Sequence, residues 1–571
     1  MIKLNKIDNI TSEFKNELIE NGHNEMIVNL LVNRGYNEEI ISALLSTGYS
    51  ETLPEYNNIT NVQIGADIIE SHIANNSTIC IFGDYDSDGA NSTYILGDAI
   101  NHIIYYTGSE SQLVLKVPER FEGYGLNMNW CKNLIANHQG EDILVITVDN
   151  GIAQDKEVAY LLENGVDVLI TDHHVPNGHT PANVWIIDAF YNNDNENNKG
   201  LCGAGVAFKL AMTLLDRYEC INNKEDYYYR YLVNVAIATI TDSMPMTMEN
   251  IQYVYNGLQL LKDGYASEAL TYYRDYNANT DLTPKDLAFG IGPQINACGR
   301  MNNTALALNY LFSDNEDVED LYNEVVTTNE ERKTKTKSSI EYAEKTLDVN
   351  SPSIILELEN VEGIAGIIAS NLSSKYNKCT IIFSKDHSGK YLIGSARNDG
   401  SIDILALLRN LDTNAIVKVG GHSGACGLTI KASHLDSFIE EVNEAILALP
   451  RVEKVVDDNI QIVVDDFITI ADINKDNCDA LKDLYFFTET NPVFAFEAYI
   501  LGTKHSGKNY NNIMFKIQDK QGDMLDFWSW GVGNEYVSLG EPKKVTFVGE
   551  MEYKFGKPSF NVLNIIPMEW R

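Results

Sequence analysis

The sequence predicts an α/β protein of several domains: a parallel-sheet domain, a long connecting helix, a smaller α/β domain and a C-terminal β-barrel. Three observations predict it. At 571 residues the chain is too long for one ordinary core. Between about 60 and 245, and again between about 353 and 450, short continuous apolar runs alternate with helical stretches, as in parallel sheets covered on both faces. After about 455 the pattern changes to short β-type runs separated by turn signals. The expected divisions are a helical segment 1–58, a domain 59–317, a connector helix 318–350, a domain 351–452 and a barrel 453–571.

In chain order, Glu25 to Leu31 and Glu38 to Leu45 space apolar residues as short helices, with Gly35 and Gly48 as stops. No chemistry is evident there. Five strands then follow: Thr78 to Phe82, Leu113 to Val117, Asp142 to Val148, Val166 to Thr171 and Val184 to Ile187. A polar helix fills 318 to about 348, and Ser351-Pro352 restarts the pattern. The second unit has strands near Ile354 to Leu358, Thr380 to Phe383, Tyr391 to Ala396 and Ile416 to Val419.

Acidic residues outnumber basic ones 81 to 43, a net charge of −38. Such a balance argues against a non-specific nucleic-acid coat, because affinity for phosphate comes from Lys and Arg. It leaves room for an enzyme that grips phosphates locally through cations and a few arginines. Stretches such as Asp314 to Glu324 read as solvated faces. No apolar run is long enough to span a membrane, and the opening residues Met1 to Lys6 lack the apolar stretch of a secretion signal. The eight cysteines are scattered without metal-ligand spacing. A cytoplasmic location with reduced thiols is expected.

The chemistry centres on Phe82-Gly83-Asp84-Tyr85-Asp86-Ser87-Asp88-Gly89. Three aspartates at alternate positions repel one another unless cations bind between them. Asp149 follows the third strand, His173 and His174 follow the fourth, and Asp242 ends a buried helical run. Each alone has a plain explanation. An Asp caps a helix, Asp149-Asn150-Gly151 is a turn signal, and a His pair is commonly a surface feature. Together they fall on the carboxyl edge of one sheet, where open α/β folds bind ligands. Five aspartates and two histidines on one rim suit a pair of hard divalent cations, and imidazole shifts the preference from Mg²⁺ toward Mn²⁺. Phosphoester hydrolysis is the reaction such a pair serves best.

The motifs Asp-Tyr-Asp-Ser-Asp-Gly (84–89), Thr-Val-Asp-Asn-Gly (147–151) and Asp172-His173-His174, in this order, resemble the DHH phosphoesterase superfamily. Within it the chain is similar to the RecJ-like family of single-strand-specific 5′→3′ exonucleases. The resemblance also rests on Val117-Pro118-Glu119-Arg120, on Leu201 to Phe208, on Gly292 to Arg300, on Gly394-Ser395-Ala396-Arg397 and on Gly420-Gly421-His422 of a DHHA1-like domain. It runs from about Leu30 to Ile430, and the tail matches the family's oligonucleotide-binding (OB) fold more weakly. It implies that Asp86, Asp88, Asp149, His173 and Asp242 are the main metal ligands, with Asp149 bridging, and that Asp84 is a further ligand or outer acid. His174 would contact phosphate or water. Arg120, Arg300, Ser395 and Arg397 would hold phosphates, including a terminal 5′ phosphate, with Gly421 and His422 on a loop facing the same cleft. Two divalent cations, Mn²⁺ preferred and Mg²⁺ possible, are the implied cofactors. Single-stranded DNA with a 5′ phosphate is the implied substrate, and a single-strand-binding protein or helicase the implied partner.

Phe82 stands where many members carry a histidine, and Ile187-Asp188-Ala189-Phe190 replaces a usual Asn-Pro-type turn. Trp528 and Trp530 lie two apart on one strand and are candidates for stacking bases, with strand packing the plainer role. Two other classes compete. One is a small-substrate DHH phosphodiesterase acting on oligoribonucleotides or cyclic dinucleotides. The other is a non-catalytic replication scaffold, which predicts degraded metal ligands.

Overall fold

The computed structural model describes residues 2–4, 12–45, 55–277, 282–386, 388–398, 402–411, 413–449, 462–484, 491–506, 511–554 and 556–568. The expected limits near 452 and 453 therefore lie outside the described residues.

The first domain is built on a five-stranded parallel sheet. Its spatial order is Gln112–Lys116, Thr78–Phe82, Ile143–Val148, Asp167–Thr171, Trp185–Ile187. Its three inner strands are almost wholly buried, as their unbroken apolar runs require. The chain order reverses between the strands ending at Phe82 and Val148. In this topology a crevice opens outside the carboxyl ends at that reversal. Register makes the point more sharply. Phe82 pairs with Thr147, Val148 with Thr171 and Thr171 with Ile187. Carried one or two residues further, the same register aligns Asp84, Asp149, Asp172 and Asp188 in one row, and all four are buried.

Helices cover the sheet. Ser87–Thr107 and Gly203–Leu215 pack closely together, and Lys224–Thr241 lies against both. Gly292–Arg300 packs on the connector helix Val318–Thr346. The connector is 29 residues long and mostly polar, with a few buried positions such as Val325 and Asn329.

The second unit is a five-stranded mixed sheet in the order Ile416–Gly421, Ala425–Lys431, Tyr391–Arg397, Thr380–Lys385, Ile354–Glu357. Only its last two strands are parallel. Ala425–Lys431 is absent from the sequence expectation. It forms a hairpin with Ile416–Gly421, turning at His422.

The C-terminal part is an antiparallel sheet, Met524–Ser529, Asn512–Gln518, Phe494–Ser506, Lys544–Lys554, Lys557–Pro567. Its first and last strands also approach each other, so the sheet curls. Its core is shared with the N-terminal helices: Leu18, Ile27, Leu30, Leu31 and Ile41 pack among Phe494, Phe515, Phe547 and their neighbours. Arg34 fixes this junction with two 2.7 Å bonds to the Asp465 carboxylate. Among the described residues no helix is long and apolar enough to cross a membrane.

Candidate metal centre and interdomain cleft

Asp86 is the N-cap of the Ser87–Thr107 helix. Its Oδ1 accepts the N–H groups of Asp88 and Gly89 at 3.0 and 3.1 Å. The helix cap of this loop is thus Asp86. Asp88 reaches across to a different helix. Both its oxygens accept N–H groups at the start of Gly203–Leu215, from Gly203 and Ala204, each at 2.7 Å. Gly203 is required there because a Cβ would run into the Asp149 carboxylate. Gly299 is required for the same reason, since a Cβ would strike the Tyr85 carbonyl. The motif around Gly292–Arg300 therefore seats the acidic loop, helped by Asn296, which accepts the Ser87 N–H at 3.0 Å.

Asp149 has a left-handed backbone, φ 62°. That turn carries its side chain to His173, whose Nε2 lies 3.1 Å from Asp149 Oδ1, 3.6 Å from Asp88 Oδ2 and 3.7 Å from Asp242 Oδ2. Asp84, Asp86 and Asp149 form one ion-sized group, with ligand atoms all within 4.8 Å of one another. Asp88, His173 and Asp242 form a second. Asp149 and His173, with His174, link the two. All the acids and histidines expected from the sequence are thus brought together.

The electrostatics call for a cation. Burial, then the charge of Asp86, holds Asp84 well above the usual carboxylate range. Burial, then Asp88 and its neighbours, does the same to Asp149. Asp242 is pushed up to about 8 by burial, then by Asp88 and Asp86. Burial raises Asp88 too, although His173 opposes it. Asp84 Oδ1 and Asp149 Oδ1 are buried without a hydrogen-bond partner, leaving lone pairs aimed into the cluster. Buried carboxylates so crowded cost several kcal/mol unless paired or bound to metal. Hard oxygen donors with one or two imidazoles fit divalent cations.

Asp172 behaves differently. Its Oδ1 accepts the His173 and His174 N–H groups and lies 2.8 Å from His174 Nδ1, while Oδ2 accepts from Ile152. Burial alone would raise Asp172, but the His174 bond and charge outweigh it and hold it low. The same pair raises His174 to about 9 against the opposing effect of burial. Asp172 therefore positions the histidine pair, a role the sequence did not assign. The signal was its place in the aligned row of strand ends. Tyr124 was also missed: its hydroxyl donates to the Asp149 carbonyl at 3.3 Å and meets the His174 ring.

Phe82 lies in the core below the sheet, its ring 4.7 Å from that of Trp130. Asp188 closes an Asx turn by accepting from Phe190 and Tyr191, so it takes over the turn where an Asn-Pro is usual.

Around the cluster opens a cleft of about 930 Å³ between the two α/β units. His173, His174, Asp242, Tyr85 and Tyr124 line one side, and Lys418, Gly420, Gly421 and His422 the other. Gly421 has φ 137°, so the hairpin bends where only glycine is relaxed. Arg120 lies over the Tyr85 ring at 4.2 Å, with its Nε buried and unbonded. Arg300 donates only to the Gly363 carbonyl, at 3.3 Å. Burial, then Arg120, pushes it down to about 10, so it stays cationic at neutral pH. Arg397 donates to Ser395 Oγ at 2.8 Å, and both side chains crowd Gly366. Arg300 and Arg397 therefore meet the same short segment, 363–366.

The profile of the DHH family, N-terminal domain, matches residues 78–239, and that of the DHHA1 domain matches 350–448. The single-stranded-DNA-specific exonuclease RecJ of Haemophilus influenzae is 28% identical over 471 residues, covering 78% of this chain and 79% of that protein. The crystal structure of RecJ from Thermus thermophilus in complex with Mn²⁺ superposes with a TM-score of 0.77 at 20% identity, over 100% of this chain and 80% of that one. A RecJ structure bound to manganese has a TM-score of 0.59 at 26% identity, over 70% of this chain and 97% of that one. The chain thus carries a DHH N-terminal domain followed by a DHHA1 domain and is RecJ-like in sequence over most of its length and in fold.

Proposed function

We propose that the chain is a metal-dependent exonuclease that degrades single-stranded DNA 5′→3′ and releases 5′-mononucleotides. The observation that carries this is the pair of ion-sized acidic groups, joined through Asp149 and His173, at the floor of a cleft closed by the second domain. The exonuclease kinship of the relatives agrees with it.

Asp84, Asp86 and Asp149 are proposed to hold one cation and Asp88, His173 and Asp242 the other, with Asp149 shared. Manganese is the proposed preference and magnesium the alternative, as the imidazole donors suggest and as a relative bound to manganese supports. When bound, such a pair polarises the phosphoryl group and lowers the pKa of a water. The chain's own groups do the rest. Asp172 holds His174 through Nδ1, and Nε2, which also meets the Tyr124 hydroxyl at 3.1 Å, is the nitrogen proposed to donate to a phosphate oxygen in the cleft. Arg300, with no carboxylate within ion-pair distance among the described residues, is proposed to stabilise charge developing on the phosphate. Ser395 and Arg397, with Arg120, take the terminal 5′ phosphate. Gly421 and His422 wall the cleft and leave room for one strand. The curled C-terminal sheet, read as an OB-like unit, would hold the incoming strand. Its Trp528 and Trp530 rings, 6.2 Å apart and 18° from parallel, would serve as base platforms.

The cytoplasm is the proposed location; all eight cysteines are free thiols, as in a reducing compartment. A single-strand-binding protein or helicase is a proposed partner by kinship alone.

A time course on 5′-labelled and 3′-labelled single strands with Mn²⁺ or Mg²⁺ tests the reading. Labelled mononucleotide released at once from the 5′-labelled strand, and late from the 3′-labelled one, is expected. Preference for a dinucleotide over a long strand would instead mark a small-substrate phosphodiesterase. Arg397→Ala should cut the preference for a 5′-phosphorylated over a 5′-hydroxyl strand by roughly ten- to a hundredfold, the worth of hydrogen bonds to a charged group. Competition between the two strands measures it.

A further inference from the structure

A second cavity, of about 330 Å³, lies beside the metal centre. Thr241 and Ser243, the neighbours of Asp242, line it, together with Asn296, Arg300, Arg332 and the exposed ring of Phe289. Arg332 comes from the connector helix. Its guanidinium donates only to its own helix, to Asn329 Oδ1 at 2.8 and 3.2 Å. Among the described residues neither Arg300 nor Arg332 has a carboxylate within ion-pair distance. Two guanidiniums thus face one cavity of mixed polar and apolar lining without a direct ion pair, with only the more distant charges of Asp86 and Glu330 acting on them.

Arg332 also lines a separate groove of about 430 Å³ that follows the connector helix past Lys333, Thr336 and Lys337 to Lys375. Four cations line this groove against two carboxylates, Glu341 and Glu344. Lys375 is paired with Glu344, and Lys333 with Glu330 at 2.8 Å. Lys337 is exposed and has no carboxylate partner among the described residues. In a chain whose acids outnumber its bases 81 to 43, a groove with four cations against two carboxylates, sharing Arg332 with the cavity beside the metal cluster, is not what a solvated face would give. Arg332 and Lys337 are five residues apart, about 7.5 Å along the helix. That is of the order of the step between phosphates in an extended strand.

Resting on the exonuclease reading, we propose that this groove is a track for the sugar-phosphate backbone of the single strand. Arg332 grips the phosphate next to the scissile one that Arg300 faces, and Lys333 and Lys337 take later ones. The connector helix is then a nucleic-acid-binding element as well as a tether. Contacts of this kind are electrostatic and independent of sequence.

The test is a salt titration of binding, without divalent metal, to a 3′-labelled, 5′-phosphorylated oligothymidylate. Wild type is compared with Lys333→Ala/Lys337→Ala, Lys337→Glu and Lys333→Arg/Lys337→Arg. The double alanine variant should flatten the slope of log K against log salt by about 1.4, or about 0.7 per lost phosphate contact on a single strand. Lys337→Glu should weaken binding further at low salt, and the arginine pair should keep the wild-type slope. A double alanine slope equal to wild type would overturn the proposal. So would equal competition by free mononucleotide, which would mark a simple anion site. Cleavage by the same wild-type protein is read separately. If it cuts no strand, the exonuclease reading fails whatever the groove binds; if it cuts and the slopes agree, only the groove proposal fails.

Discussion

Asp149→Asn should lower kcat by about a thousandfold or more if Asp149 is, as proposed, the ligand shared by both ion sites. The Lewis-acid contribution of a metal centre is several kcal/mol, and each 1.36 kcal/mol is a factor of ten. Asparagine is the informative replacement, since after glycine it is the residue that best tolerates the left-handed backbone at this position, and it keeps the shape of the side chain. The fold should therefore survive. Thermal unfolding gives a second readout. In the metal-free protein Asp149 is buried and repelled by Asp88, Asp86, Asp84 and Asp242. Removing its charge should raise the metal-free Tm. The further rise that Mn²⁺ gives wild type by binding only the folded state should shrink or vanish. A variant that keeps both its activity and its Mn²⁺-dependent gain in Tm would remove Asp149 from the metal centre.

Arg300→Ala should cost about a hundred- to a thousandfold in kcat/KM, the usual loss when one oriented donor to a developing anion is removed. The effect on stability should be small, about 1 kcal/mol, because the side chain makes a single long bond to the Gly363 carbonyl. This contrast separates a catalytic from a structural arginine. Arg300→Lys keeps the charge but not the planar fork, and should recover only part of the loss. If kcat/KM and Tm fall together and lysine restores both, Arg300 is a packing residue instead.

Much of this site could be read from the chain because sheet geometry is local and repetitive. Residues that follow apolar runs fall on one edge, so Asp84, Asp149 and the His pair converge without knowledge of distances. The division of labour among them was not readable. Asp86 and Asp88 sit two apart in the same loop, yet one caps its own helix and the other the helix beginning at Gly203, 115 residues later. Asp172 looks like a ligand by position and is a support by its hydrogen bonds. Arg332 stands in a polar helix whose charges all read as solvated, and only the fold brings it beside Arg300. The helices near the N-terminus carry a correct periodicity but no hint of their partner.

That partner has a consequence for how the polypeptide is made. The helices Ser12–Glu20, Glu25–Asn33 and Glu38–Leu45 are synthesised well before the strands they pack on, and each is too short to hold its shape alone. Their apolar faces meet strands beginning at Phe494, and Arg34 waits for Asp465, 431 residues downstream. The two α/β domains can close while synthesis continues, but the junction between these helices and the C-terminal sheet can form only after them. Until then Leu30, Leu31 and Ile41 stay bare, a natural station for a chaperone and a natural site of aggregation in prematurely terminated chains.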